Sequence, residues 1–248
     1  MIVYGRNPVA EALRGRRGNR IGEVWATAAV AREPFLQGGR TGARTRIAPA
    51  AEIERRCGSA AHQGVCADAG AYPYAGAEEL LATPNPLLVA LDQLQDPQNV
   101  GSICRTAECV GAAGVVIAER RAAEVTPAVC KASAGAVEHL RVARARNIAD
   151  FLADARGAGC WCYGAVAPGG SAARPPVPYD RPDYAGAGVV LVLGSEGSGL
   201  RPRVAKACDE LIALPQRGRI ESLGVGAAAA ALLYEILQSR RGALDKGL

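Results

Sequence analysis

The chain has 248 residues, 49% hydrophobic and 21% charged, with a formal net charge of +5. No apolar run reaches the roughly 18 residues that span a bilayer, and the start MIVYGRNPVAEALRGRR has the form of neither a signal peptide nor an anchor, which predicts a cytoplasmic protein. The length suits one large domain with a small companion. Eight cysteines stand at 57, 66, 104, 109, 130, 160, 162 and 208, with no C-x-x-C pair and only two histidines. No metal site is expected from that set, and the cysteines read as buried free thiols. Aromatic residues make up only 4%, which disfavours a protein that grips single strands by stacking bases. Charge is uneven: residues 1–70 hold 11 arginines, no lysine and six acids, while residues 71–248 are neutral overall. A phosphate-rich partner engaging the N-terminal segment is one reading, because arginine forks match phosphate oxygens. A solubilising, arginine-rich surface is the other.

Along the chain, IVYG reads as a short strand, Asn7–Pro8 as a helix cap before VAEALR, RIGEVWAT as a strand of alternating character, AAEIERRC as a helix and HQGVCADAG as a strand ending in a turn. This is a small α/β unit. AGAEELLATPNPL, with two prolines and no β-branched core, reads as a connector. From Leu87 apolar strands alternate with helices: LLVALD, the helix of DPQNVGSICRTA, GVVIAE, a helical stretch near EVTPAVCKASAG, NIADFLADAR, WCYGAVA, GVVLVLGSE, RPRVAKAC, ELIALP and a last helix from Ser222 to about Ser239. Such alternation predicts a parallel sheet covered on both faces, with binding sites at the carboxyl ends of its strands.

Three stretches occupy those ends. In DPQNVGSICRTA (96–107), Asp96 caps a helix and Pro97 occupies its first position. Val100, Ile103, Cys104, Ala107 and Val110 share its apolar face, and Gln98, Ser102 and Arg105 share the other. Taken alone, Arg105 is an ordinary solvated arginine. LGSEGSGL (193–200) packs three glycines around Glu196 at a strand end, where they let backbone approach a ligand closely. Its G-x-x-G-x-G order, with no following lysine, disfavours a nicotinamide or nucleoside-triphosphate site, and a purely structural turn is the bland alternative. PQRGRIESLGVGAAAAALLYEIL (215–237) carries Arg217 and Arg219 in a loop, Ser222 as an N-cap and an alanine run that reads as close helix packing.

In that order and spacing, the three stretches resemble the motifs of the SpoU (TrmH-type) family of RNA ribose 2′-O-methyltransferases, within the SPOUT class. KASAGAVEHL (131–140) is similar to the segment this family has between its first two motifs, and YGRNPVAEAL with HQGVCA resembles the N-terminal substrate-binding domain of its ribosomal-RNA branch. The resemblance implies an N-terminal, ribosomal-protein-like α/β RNA-binding domain over residues 1–74 and a linker over 75–86. It further implies a methyltransferase domain over 87–248, a parallel α/β sheet whose C-terminal part forms a trefoil knot, rare among folds. S-adenosylmethionine is the implied cofactor, ribosomal RNA the implied partner and a homodimer the implied assembly. Leu193, Gly194, Gly197, Leu214 and Leu223 are the implied cofactor contacts. Arg105, Asn99, Glu196 and Ser222 are the implied catalytic set, with Arg105 orienting the ribose hydroxyl and stabilising its developing alkoxide, since a guanidinium with a pKa above 12 is a poor base.

One departure stands out: where the family's third motif reads S-L-N-V-S, this chain has Ser222-Leu223-Gly224-Val225-Gly226. Losing the asparagine's oriented polar contact can cost on the order of 10²-fold in rate. The leading expectation is methylation of a guanosine of the large-subunit (23S) ribosomal RNA. The alternatives are an RNA-binding homologue without activity, a transfer-RNA 2′-O-methyltransferase and, more remotely, an unknotted Rossmann-type enzyme.

Overall fold

The structure is a computed structural model and describes residues 1–37, 42–168, 174–220 and 222–245. By its contacts the chain divides into two units, Met1–Pro73 with Glu124–His139, and Tyr74–Ala123 with Leu140–Leu248. In chain order the first unit opens with β1 (Ile2–Tyr4), α1 (Arg6–Arg14), β2 (Glu23–Ala26), α2 (Pro34–Gln37), β3 (Arg44–Ile47), α3 (Ala50–Cys57) and β4 (Val65–Asp68). The second unit brings α4 (Ala77–Leu81), β5 (Leu87–Asp92), α5 (Pro97–Cys109) and β6 (Gly114–Ala118). The chain then returns to the first unit for α6 (Pro127–Ala132). It re-enters the second for β7 (Val142–Ala145), α7 (Ile148–Gly157), β8 (Cys160–Ala165), β9 (Val177–Pro178), β10 (Gly188–Gly194), α8 (Pro202–Ala207), β11 (Glu210–Ala213) and α9 (Val225–Asp245).

The first unit is built on a four-stranded sheet in the order β1-β4-β2-β3, antiparallel except for the β2–β3 pair. Trp25, Cys66 and Ile53 of α3 form a cluster on one side of it. Val3, Val24 and Ala67, of opposite parity, are buried as well, so the alternation expected for β2 gives way to burial on both faces. The cap expected at Asn7 shifts: α1 starts at Arg6 after Gly5, whose φ of 97° suits only glycine. The strand β3, RTRI, exposes all four side chains and therefore carries no apolar periodicity from which to read it. Residues 124–139 join this unit through a buried ion pair. Arg17 and Glu138, 0% and 1% exposed, are linked by a two-point contact through Nε and Nη2 of the guanidinium. Beside it the Tyr72 hydroxyl donates to the Val137 carbonyl at 2.6 Å.

The second unit is a seven-stranded sheet in the order β7-β6-β5-β10-β8-β11-β9, parallel throughout. β5 and β10 lie adjacent near its middle and are buried almost throughout, as near-continuous apolar strands covered on both faces must be. The 75–86 stretch is structured, since α4 inserts Leu80 fully into the core and Ala75 bridges to Ala143. The apolar face read for α5 is the buried one. The final helix α9 begins at Val225, three residues beyond Ser222, and runs to Asp245. Ser222 is therefore no N-cap; its Oγ accepts from the Gly224 amide in a local turn. Near the other end of α9, Arg240 donates to the carbonyls of Tyr184, Asn85, Pro86 and Ala187, which pins the helix at the amino ends of β5 and β10.

All eight cysteines are free thiols, of which Cys109 is exposed and Cys57 half-buried, against the expectation of uniform burial. Burial pushes the thiols of Cys130 and Cys208 up to about 12, so neither is a nucleophile at neutral pH. Among the described residues no helix is long and apolar enough to cross a membrane.

Because a buried charge stripped of its partner is costly, Glu138→Ala should destabilise the first unit by about 3–5 kcal/mol in urea unfolding. The apolar double variant Arg17→Met/Glu138→Leu should recover most of that loss.

Candidate active site

The glycine loop after β10 is shaped by close backbone contact. Ser195 and Gly199 exchange hydrogen bonds at 3.1 and 2.9 Å, folding the chain back on itself. A Cβ on Gly194 would lie 2.2 Å from the Gly199 carbonyl carbon, so only glycine fits there. The far end of the loop is fastened to β5. Asp92, 1% exposed, accepts from the Arg201 amide at 3.0 Å and its Nε at 2.8 Å, with Nη2 at 2.6 Å.

These contacts leave a cavity of about 510 Å³ at the carboxyl ends of β8, β10 and β11, closed by the loop leading into α9. That is the size range of a small-molecule site. Leu193, Gly194, Leu214 and Leu223 line it, as do Glu196 and Ser222, so six of the nine residues singled out in the sequence meet here. Gly197 does not line it; the residue stands at the open tip of the turn, where an added Cβ would touch nothing. Leu223 and Ile220, on the closing loop, are 56% and 78% exposed.

A second, polar recess of about 370 Å³ adjoins the first and shares Ser195 and Glu196 with it. Gln93, Leu94, Gln95, Asp96, Asn99 and Ser198 complete its wall. Asp96 caps α5 as expected, its two oxygens accepting from the amides of Gln98 and Asn99. Asn99 Nδ2 donates to Glu196 Oε1 at 2.6 Å, joining the first motif to the second at the boundary of the two cavities.

Arg105, two turns along α5, is exposed and lines neither cavity. Among the described residues it has no ion-pair or hydrogen-bond partner. The face of α5 that carries it meets α9: a Cβ on Gly226 would fall 2.8 Å from Ser102 Oγ. The serine expected in the third motif is thus replaced where the helices touch. Gly224, in place of the asparagine, has φ +82° with open space around its missing Cβ.

The sequence reading missed the residues that hold the loop or furnish the recess: Asp92, Arg201, Gln93, Gln95, Ser195 and Ser198. Asp92 left a trace, as the one charge at the end of the apolar run LLVALD. The others carry no local signal.

The chain is similar to known proteins over nearly its whole length. The profile of the SpoU rRNA Methylase family matches residues 86–234, and that of RNA 2′-O ribose methyltransferase substrate binding matches residues 2–75. A Bacillus subtilis protein assigned by name to the TrmH family of tRNA/rRNA methyltransferases is 35% identical over 96% of this chain and 95% of its own. A Mycobacterium avium protein named as an uncharacterized tRNA/rRNA methyltransferase is 37% identical over 97% of this chain and 78% of its own. Among solved structures, an AdoMet-bound rRNA methyltransferase from Sinorhizobium meliloti superposes with a TM-score of 0.77 at 25% identity, covering 97% of this chain and 87% of that one. The α/β architecture, with its parallel sheet and small N-terminal domain, is that of these enzymes, and the chain belongs to the SpoU rRNA methylase family.

Proposed function

We propose that the protein transfers the methyl group of S-adenosylmethionine to the 2′-hydroxyl of a guanosine in large-subunit ribosomal RNA, in the cytoplasm and as a homodimer. The observation that carries this reading is the junction of the two cavities. An apolar, glycine-edged cavity suited to a nucleoside opens beside a polar recess, and the Asn99–Glu196 hydrogen bond stands at their boundary. The cofactor fits the larger cavity: the Gly194 backbone offers contact no side chain would leave room for, Leu193, Leu214 and Leu223 supply apolar walls, and Glu196 stands at the edge for a cationic or hydroxylic group. When bound, it supplies an electrophilic methyl carbon on sulfur.

The chain's own groups then have the remaining work. Asn99 holds the Glu196 carboxylate in one orientation, facing the recess where a ribose would lie. Ser222, fixed by its turn with Gly224, sets the closing loop. Arg105 orients the hydroxyl and stabilises its developing negative charge, with its guanidinium positioned by an adjacent RNA phosphate. Its location on α5, outside both cavities of its own chain, favours action at a dimer interface, as do Ile220, Leu223 and Tyr234, 78%, 56% and 48% exposed. The substrate-binding profile over residues 2–75 and the arginine excess of residues 1–70 support selection of the RNA by the first unit. The trefoil path of the C-terminal segment belongs to the same proposal. Gly224 is the observation behind a second reading, an RNA-binding homologue without turnover, because it removes a polar side chain from the cavity wall.

Incubation with labelled cofactor and unmodified ribosomal RNA should place label on ribose. Arg105→Ala should lower kcat by about 10²–10³-fold with cofactor affinity unchanged. Equal turnover by the two proteins, or no transfer to ribose, would overturn the assignment, and label in transfer RNA instead would redirect it. Gly194→Ala should weaken cofactor binding on the order of 10²-fold in calorimetry, because the Ser195–Gly199 turn must move to admit the methyl group. Asparagine tolerates the left-handed conformation of residue 224 better than most residues. Gly224→Asn should therefore fold normally and raise kcat about tenfold or more; the second reading expects turnover to stay at zero in both proteins.

A further inference from the structure

The carboxyl edge of the large sheet continues past the polar recess. In sheet order the recess lies beyond β5, the turn Glu119-Arg120-Arg121 beyond β6, and Arg146 beyond the edge strand β7. Two backbone hydrogen bonds tie these three places together. The Ala123 amide donates to the Leu94 carbonyl, at the recess, at 2.8 Å, and the Glu119 amide donates to the Ala145 carbonyl, next to Arg146, at 2.9 Å. Arg120 and Arg121 therefore stand between the recess and the sheet edge, over a span of roughly two strand spacings, about 10 Å.

The charge at this edge is only partly offset. Three arginines elsewhere in the same unit are paired with carboxylates, Arg201 with Asp92, Arg156 with Asp209 and Arg203 with Asp150. Arg120, Arg121 and Arg146 are all exposed, and among the described residues none has an ion-pair or hydrogen-bond partner. Glu119, also exposed on the turn, offsets one of the three charges. This local excess stands in a part of the chain, residues 71–248, that is neutral overall.

We propose that Arg120, Arg121 and Arg146 form a phosphate track that carries the backbone of the substrate RNA away from the recess toward the edge of the sheet, as a second RNA contact borne by the methyltransferase unit itself. The proposal rests on the RNA-methylation reading for its choice of partner. Its chemistry is that of arginine forks on phosphate oxygens, which fix the register of a strand without reading its bases. Continuity with the recess selects a single strand, because the nucleotide in the recess must be unstacked and its neighbours must leave across β6 and β7.

The test uses the full chain, with an in vitro-transcribed, unmodified large-subunit ribosomal RNA and poly(U) as probes, and follows affinity against salt concentration. For the Arg120→Gln/Arg121→Gln/Arg146→Gln protein the slope of log affinity against log salt should shrink by about 2 on both RNAs, and affinity at low salt should fall about tenfold or more. Calorimetry should give an unchanged affinity for S-adenosylmethionine. The corresponding triple lysine protein should keep the slope, since charge rather than fork geometry sets counterion release. A slope equal to that of the wild type overturns the track. Should the triple glutamine protein misfold, Arg146→Gln alone decides, with an expected change of about 0.7 and none if the proposal is wrong. Wild-type protein that shows the full slope yet methylates no RNA would overturn the function and leave the track standing. Turnover with indifferent slopes would do the reverse.

Discussion

The site depends on one buried carboxylate. Asp92 ends the central strand β5 directly opposite Gly194, the last residue of β10, and its two oxygens hold the amide and guanidinium of Arg201. Everything between Gly194 and Arg201 is thereby closed into a short loop whose two ends are fixed on neighbouring strands. Within the loop Gly194 leaves no room for a Cβ against the Gly199 backbone, and the turn carries Glu196 to the cavity wall. The cavity is the consequence of that restraint, and the position of Glu196 follows from it. A carboxylate this deeply buried is tolerable only with a full set of donors, so the same interaction that shapes the site also commits the local fold.

A second restraint acts on α9. Near its start, Gly226 lets the helix meet Ser102 of α5 at a distance that a side chain would forbid. Near its end, Arg240 caps carbonyls at the amino ends of the central strands. Helix and sheet are held at both extremities, and Leu214, Ile220, Ser222 and Leu223 are left to close the cavity. The replacement of the third motif's polar residues by Gly224 and Gly226 has separate causes at the two positions. Residue 226 is confined by a neighbouring helix, whereas residue 224 faces open space in a left-handed conformation.

The N-terminal unit follows a different logic. Its small core includes Trp25, Ile53 and Cys66, and the chain returns at residues 124–139 to add a helix and a buried ion pair between Arg17 and Glu138. A unit assembled from two distant segments is more tightly specified than its short strands alone would allow. Its exposed strand β3, with Arg44 and Arg46, contributes charge to the surface and nothing to the core.

Much of the large sheet was legible because buried parallel strands must be apolar throughout: LLVALD, GVVIAE and GVVLVLG each announce themselves, and the cap and apolar face of α5 follow from local hydrogen bonding and a 3.6-residue period. The family resemblance rested on three ordered motifs, and six of the nine residues it named line one cavity. Local signals misled where backbone geometry decides: Gly5 rather than Asn7 opens α1, and Ser222 opens a turn instead of capping α9. Nothing in the sequence paired Asp92 with Arg201, 109 positions apart, or Arg17 with Glu138, 121 apart. Nor could it align the arginines of two separate turns beside one recess. Periodicity and capping act between near neighbours and are written in the chain; the partner of a buried charge is chosen by the packing of the whole, and only the tertiary structure could decide it.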